Sequence, residues 1–269
     1  MTTFWGADSV DHLDSTYDGT TLANYAINTF FAGSPHDEIV WWGRYFDIGN
    51  DQSALYSGND EGLALVAAVN GYDNPTGGAS WILPIAAPYY TNTTGQNGTY
   101  AQGVFSGQYV CNHIVAKLSS RLQMPGSTVL YVYVDLEYTT NQNFVDGWAD
   151  GANGSTYESG YPFYASFYSS PTAPNAPYFT SSDGTSRYFM AWSTEPELLC
   201  SYCASPGPSW GPDTIGTYYT ALWQYAENGA DACGGSCRPG MPCDLDETNP
   251  GVDGPYGNGL CDYMLYLGR

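Results

Sequence analysis

The sequence predicts one α/β domain spanning residues 1–269, a (β/α)8 TIM-like barrel that turns irregular in its second half. Three observations lead there. Short β-rich runs alternate with helical patterns, eight strand candidates fall within the 269 residues, and no linker or internal repeat divides them. Barrels of this class use roughly 200–250 residues, and an apolar share of 43% is ample for a packed core. A doubly wound open sheet is the rival architecture, but no G-x-G-x-x-G turn follows the first strand.

Taken in order, residues 4–9 read as a strand. Residues 21–31 have helical spacing at Leu22, Tyr25, Ala26 and Phe30. Residues 38–48 form a second strand, followed by the Ala/Leu/Val-rich 61–70. A third strand covers 81–90, and 100–122 is the longest helix candidate, with Cys111 on its apolar side. The fourth strand, 128–138, leads into a helix at 143–152. Residues 162–169, 187–193, 221–225 and 261–267 complete the eight. The Cys/Gly/Pro-rich stretch 231–259 reads as a disulfide-stapled insertion at one end of the barrel.

The fourth strand carries the most chemistry. Side chains alternate faces along a strand, so Leu130, Val132, Val134 and Leu136 share an aliphatic side suited to packing under helices. Val129, Tyr131, Tyr133, Asp135 and Glu137 take the other side and would point into the barrel. The two acids come last, at the carboxyl end of the strand, where barrels place reacting groups. Their Cβ atoms would lie roughly 6.5–7 Å apart. Like charges at that separation in a partly dry cleft raise the pKa of one of them, giving a proton donor beside an ionised stabiliser, the requirement for glycosidic bond cleavage. The same acids would equally cap the following helix or hold a loop cation.

Asp135-Leu136-Glu137 resembles the Asp-x-Glu signature of glycoside hydrolase family 25, the lysozyme-like muramidases. Trp5-Gly6-Ala7-Asp8-Ser9 is similar to that family's opening strand, Leu222-Trp223-Gln224-Tyr225 to its Trp-Gln-Tyr strand, and Cys261-Asp262-Tyr263 falls where a final strand carries an Asp. Gly43-Arg44-Tyr45 and Tyr133-Val134-Asp135 resemble more closely a sister group of glycoside hydrolase-like domains of unknown function. The resemblance implies Glu137 as general acid and Asp135 as the stabiliser of an oxocarbenium ion or the group that orients an N-acetyl for attack. It implies Asp8 and Asp262 as supporting acids. The family's Trp after the first strand is replaced by Val10-Asp11-His12, and the third strand lacks the Tyr-His pair of true lysozymes.

Aromatic faces stack on sugar C–H groups, and the strand ends supply Tyr89, Tyr90, Tyr138, Tyr168, Trp192 and Trp223, with Gln224 beside the last. Arg44 sits in the apolar run 40–46, where a buried guanidinium needs a carboxylate. Asp8 on the adjacent strand is the expected partner, which would also place Arg44 at the cleft.

With 27 acidic against 6 basic residues the net charge is −21, which excludes non-specific binding to nucleic acid or to anionic membranes. No stretch is apolar enough to span a bilayer. Six of the seven cysteines, Cys200, Cys203, Cys233, Cys237, Cys243 and Cys261, cluster near the end of the chain and read as disulfides in a secreted protein, with zinc as the alternative. N-x-[ST] triplets at Asn92, Asn97 and Asn153 fit a glycoprotein. The first residues lack a secretory n-region and h-region, so export would follow signal removal or another route. His12, His36 and His113 show no ligand spacing, and no cofactor or metal is expected. Residues 244–249 hint at a calcium loop but fail the EF-hand template and read as a solvated acidic loop. Two functions follow: a glycosidase acting on an N-acetylhexosamine polymer, or a catalytically silent glycan-binding or structural domain on the same barrel.

Overall fold

In a computed structural model the chain forms a closed barrel of eight strands. The structure describes residues 5–30, 39–47, 55–70, 80–88, 98–118, 129–135, 141–153, 162–173, 179, 187–195, 210–226, 243–249 and 265–268. Strand β1 (Trp5–Ser9) is followed by a small hairpin, β2 (Thr16–Tyr17) and β3 (Thr20–Thr21), and by α1 (Leu22–Tyr25), which runs into a π-helical turn, Ala26–Phe30. Then come β4 (Ile39–Asp47), α2 (Asn59–Asn70), β5 (Ser80–Ala86), α3 (Tyr100–Leu118), β6 (Leu130–Asp135) and α4 (Gln142–Asn153). The second half supplies β7 (Phe163–Ser169), β8 (Met190–Thr194), β9 (Tyr219–Ala226), β10 (Asp244–Thr248) and β11 (Leu265–Gly268).

Around the barrel the order is β1, β4, β5, β6, β7, β8, β9, β10 and back to β1. All neighbours pair in parallel except β10, which runs antiparallel to both β9 and β1. The eighth barrel strand is therefore β10, in the segment expected to be an acidic loop. The expected strand at 261–267 is instead β11 (Leu265–Gly268), which lies antiparallel along Ser80–Ile82 of β5. It shares that edge with β6, which pairs only at Ile85 and Ala86. Strand–helix alternation holds through α4; among the described residues no comparable helix follows β7 or β8.

Alternation sorts the core into two layers. Ala7, Trp42, Phe46, Val132, Val134, Phe163, Phe167 and Leu245 point outward and pack with the helices. Trp41, Tyr45, Leu83, Ile85, Tyr133, Tyr168 and Trp192 fill the barrel, a packed interior and not a pore. The aliphatic-out, aromatic-in reading of β6 holds for its described residues.

Arg44 belongs to the outer layer, which corrects its expected pairing with Asp8. Asp8 lies opposite Gly43, and Arg44 opposite Ser9, so the two side chains leave opposite faces of the sheet. Fully buried, Arg44 donates through Nε to Glu61 Oε2 at 2.6 Å and through Nη2 to Oε1 at 3.2 Å. Its Nη1 reaches the Ser9 and Val10 carbonyls at 2.7 and 3.1 Å. Glu61, in the first turn of α2, also accepts the Leu13 and Ser57 amides, so every polar contact of the pair is made within the protein.

Helices α3 and α4 meet backbone to backbone. A Cβ on Gly107 would lie 2.2 Å from the Trp148 oxygen, and one on Gly151 2.3 Å from that of Val104; Gly103 and Gly147 close the same seam. Thr99 and Gln102 form a capping box at the start of α3. Asn141 caps α4 and donates to the Gly98 carbonyl, fixing the helix that follows β6.

Two outcomes follow, both read by denaturant unfolding. Glu61→Gln leaves Arg44 buried without its counter-charge and lowers stability by about 3–5 kcal/mol. Gly107→Ala forces the α3–α4 seam apart and costs about 1–3 kcal/mol, although alanine is the better helix former.

Candidate functional site

The carboxyl ends of the parallel strands gather acids and their hydrogen-bond partners inside the barrel. Asp8 comes from β1, Asp135 from β6, and Asp244 and Asp246 from β10. Because β10 runs the other way, its first residues lie at this end: Asp244 is opposite Asp8, and Asp246 is opposite Gly6 one layer deeper. Asp135, at the end of β6, accepts the Tyr45 hydroxyl at 3.1 Å.

Gln224 on β9 links the cluster. Its Nε2 donates to Asp244 Oδ2 at 2.7 Å and to Asp8 Oδ2 at 3.3 Å. The Tyr168 hydroxyl donates to its Oε1 at 2.9 Å, which fixes the orientation of the amide. Trp192 lies beneath. It contacts Trp41, Tyr133 and Tyr168 edge-on and donates its indole N–H to Asp246 Oδ1 at 3.0 Å. Gly43 makes room for this arrangement, since a Cβ there would lie 2.7 Å from Asp8 Cβ and 2.8 Å from the Trp192 ring.

No described cation enters the cluster: Arg44 binds Glu61, Lys117 binds the Ser57 carbonyl, and Arg187 binds Asp150. Burial, then the charges of Asp246 and Asp244, push the Asp8 carboxyl well above its usual range. Burial and then Asp244 do the same to Asp246. Among the described residues no group of His, Cys, Asp and Glu is arranged to hold a metal ion.

The residues singled out from sequence fare differently. Asp8, Asp135 and Gln224 meet inside the barrel mouth. Trp192 reaches the interior too, but it is fully buried and acts there as a hydrogen-bond donor instead of an open sugar platform. Trp223 faces outward. It packs against Trp210 and Tyr225 and donates to the Glu195 carbonyl, so it is no platform for the mouth. Arg44 lies outside the barrel with Glu61 and does not reach the mouth. Glu137, Tyr138, Tyr89, Tyr90, Asp262, Cys200, Cys203, Cys233, Cys237 and Cys261 lie outside the described residues, as do Asn92 and Asn97. Cys243 is a buried free thiol in this structure, against its expected place in a disulfide; burial and then the Asp244 charge raise its pKa well above the ordinary value. The Asn153 amide donates to the Arg187 carbonyl while its oxygen accepts the Ala165 amide, a tie that a glycan would break.

Asp244, Asp246 and Tyr168 complete the cluster. The sequence signal for the first two is alternation within Asp244-Leu245-Asp246-Glu247-Thr248, with Asp244 and Asp246 on one face and Leu245 on the other. Glu247 shares the outward face. It lies between Trp5 and Trp223 in register, its Oε1 is buried without a hydrogen-bond partner among the described residues, and burial raises its pKa to about 8.

That last shift has a definite sign. The folded chain keeps the Glu247 proton up to about pH 8, whereas an unfolded chain releases it near the ordinary value of 4.5. Stability contributed by the neutral carboxyl is present below pH 4.5 and lost as pH rises through this window. Glu247→Gln therefore matches the wild type near pH 4 and exceeds it at pH 8 by roughly 4 kcal/mol in denaturant unfolding.

No protein-family model and no curated protein matches the sequence. Among solved structures, an uncharacterized B. stearothermophilus protein superposes with a TM-score of 0.58 at 17% identity, over 97% of this chain and 99% of that one. The Mycobacterium tuberculosis Tat-secreted protein Rv2525c, in complex with L-tartrate, gives 0.49 at 11% identity over 92% and 95%. The catalytic domain of endolysin ply40 from bacteriophage P40 of Listeria monocytogenes gives 0.45 at 11% over 93% and 94%. The first of these likenesses shows a fold shared along nearly the whole chain.

Proposed function

We propose that the chain is a glycoside hydrolase that works outside the cell on a polysaccharide containing N-acetylhexosamine. One observation carries the reading: acids from three barrel strands converge at the mouth, with Tyr45 and Gln224 bonded to them. Asp135 ends β6 on the interior face, and its spacing of two from Glu137 in the sequence is what supports pairing the two acids. In this reading Glu137 protonates the departing glycosidic oxygen. Asp135 stabilises the positive charge that develops on the sugar or holds its N-acetyl group for attack. Asp8 and Asp262 are supporting acids, and Tyr89 and Tyr138 are sugar platforms.

A second reading, a glycan-binding barrel without turnover, is favoured by burial. Asp8 and Trp192 are only 3% and 0% exposed, so the deeper part of the cluster is sealed from a saccharide.

The test is release of reducing ends from chitin-like and peptidoglycan-like polymers. Glu137→Gln is expected to lower the rate by about 10²–10⁴-fold while thermal unfolding stays unchanged. Full activity in that variant removes Glu137 as the acid. A wild type that binds such a polymer and cleaves none establishes the second reading.

A further inference from the structure

We propose that Asp8 and Asp246 hold one proton between them, carried by Asp8 and donated to Asp246 Oδ2, and that Trp192 and Gln224 are the positioning residues that keep it there. The starting point is an unsatisfied atom. Asp246 is fully buried, its Oδ1 accepts the Trp192 indole, and its Oδ2 has no hydrogen-bond donor among the described residues. A carboxylate oxygen left bare in a dry interior is costly. Register places the Asp8 carboxyl beside it: Asp8 lies opposite Asp244 and Asp246 opposite Gly6, so the two side chains are diagonal neighbours on the interior face and interact directly. Two ionised carboxylates would repel across that contact; with one proton between them it becomes a charge-assisted hydrogen bond.

The surrounding donors decide which partner keeps the proton. Trp192 gives its indole N–H to Asp246 alone at 3.0 Å, which favours charge on Asp246. Among the described residues Asp8 receives the longer contact of the Gln224 amide, at 3.3 Å, while the shorter one, at 2.7 Å, goes to Asp244. Asp8 also faces the charges of Asp244 and Asp135, which disfavour ionising it. Of the other titratable groups around the pair, the Cys243 thiol and the Tyr225 phenol are held neutral by burial, and the Tyr168 and Tyr45 phenols donate to Gln224 and Asp135. The Tyr168 hydroxyl prevents the Gln224 amide from turning its oxygen toward the acids. The mouth thus carries one negative charge fewer than its four aspartates would give. This deepens the hydrolase reading, in which Asp8 then serves as a neutral supporting acid, without depending on turnover.

Infrared spectroscopy of the full chain with 13C-labelled aspartate reads the proton directly, and the label separates it from Glu247. At neutral pH the wild type shows a protonated aspartyl C=O band. Asp8→Asn loses that band and still folds, because its amide N–H replaces the acid proton toward Asp246 Oδ2. Trp192→Phe, and independently the milder Tyr168→Phe, each weaken support for the ionised form and raise the band's titration midpoint by about one pH unit, a tenfold change in proton affinity. If Trp192→Phe does not fold, Tyr168→Phe decides the positioning role. No protonated band in the wild type at neutral pH, or an undiminished band in Asp8→Asn, overturns the shared proton. An unmoved midpoint in the folded variants overturns the role of Trp192 and Gln224. No glycan enters the measurement, so a failure of the hydrolase reading leaves this result intact, and the reverse also holds.

Discussion

Strand β10 runs against the other strands of the barrel, and the chemistry of the mouth follows from that reversal. A parallel strand brings its last residues to the mouth; β10 brings its first, so Asp244 and Asp246 descend from the rim into the interior on the same face. Pairing on both sides fixes their partners. β1 sets Asp8 opposite Asp244, and β9 sets Gln224 opposite Asp246. Shifting β10 by one residue would turn Leu245 and Glu247 inward and carry both aspartates to the outer layer. The closing strand is thus also the strand that defines the site.

Charge is handled differently on the two sides of the sheet. Outside, Arg44 and Glu61 satisfy each other and nearby backbone groups, tying α2 to β4 and to the turn after β1. Inside, acids collect with no described cation, and neutral donors take its place: the Tyr45 hydroxyl, the Gln224 amide and the Trp192 indole. Such donors stabilise a carboxylate less than a guanidinium would, so Asp8 and Asp246 keep a high affinity for protons. A site of that kind suits proton transfer better than the binding of a polyanion. The aromatic residues around Trp192 exclude water and keep the donors in place.

The parts of this arrangement legible in the sequence are those that alternation alone decides. The inward Tyr133 and Asp135 and the outward Val132 and Val134 could be read from β6 by itself. The partner of Arg44 is not legible there, because partner choice needs register as well as proximity: Gly43, not Arg44, lies beside Asp8. β10 is not legible in the sequence because Asp-Leu-Asp-Glu-Thr has one apolar residue and lies inside the Cys/Gly/Pro-rich stretch 231–259, so neither hydrophobicity nor β-propensity marks it. Its strand character comes from two neighbours with open edges. Trp223 and Gln224 cannot both face the mouth, because one position along a strand is the difference between the outer layer and the interior.

In the proposed function the acids at the mouth are the working site of this barrel. A crystal structure with a soaked N-acetylhexosamine oligosaccharide tests it most directly. The sugar should lie across the mouth with hydroxyl or N-acetyl groups about 3 Å from the carboxyl oxygens of Asp135 or Asp244. An oligosaccharide ordered elsewhere on the surface, with those carboxyls untouched, would contradict it.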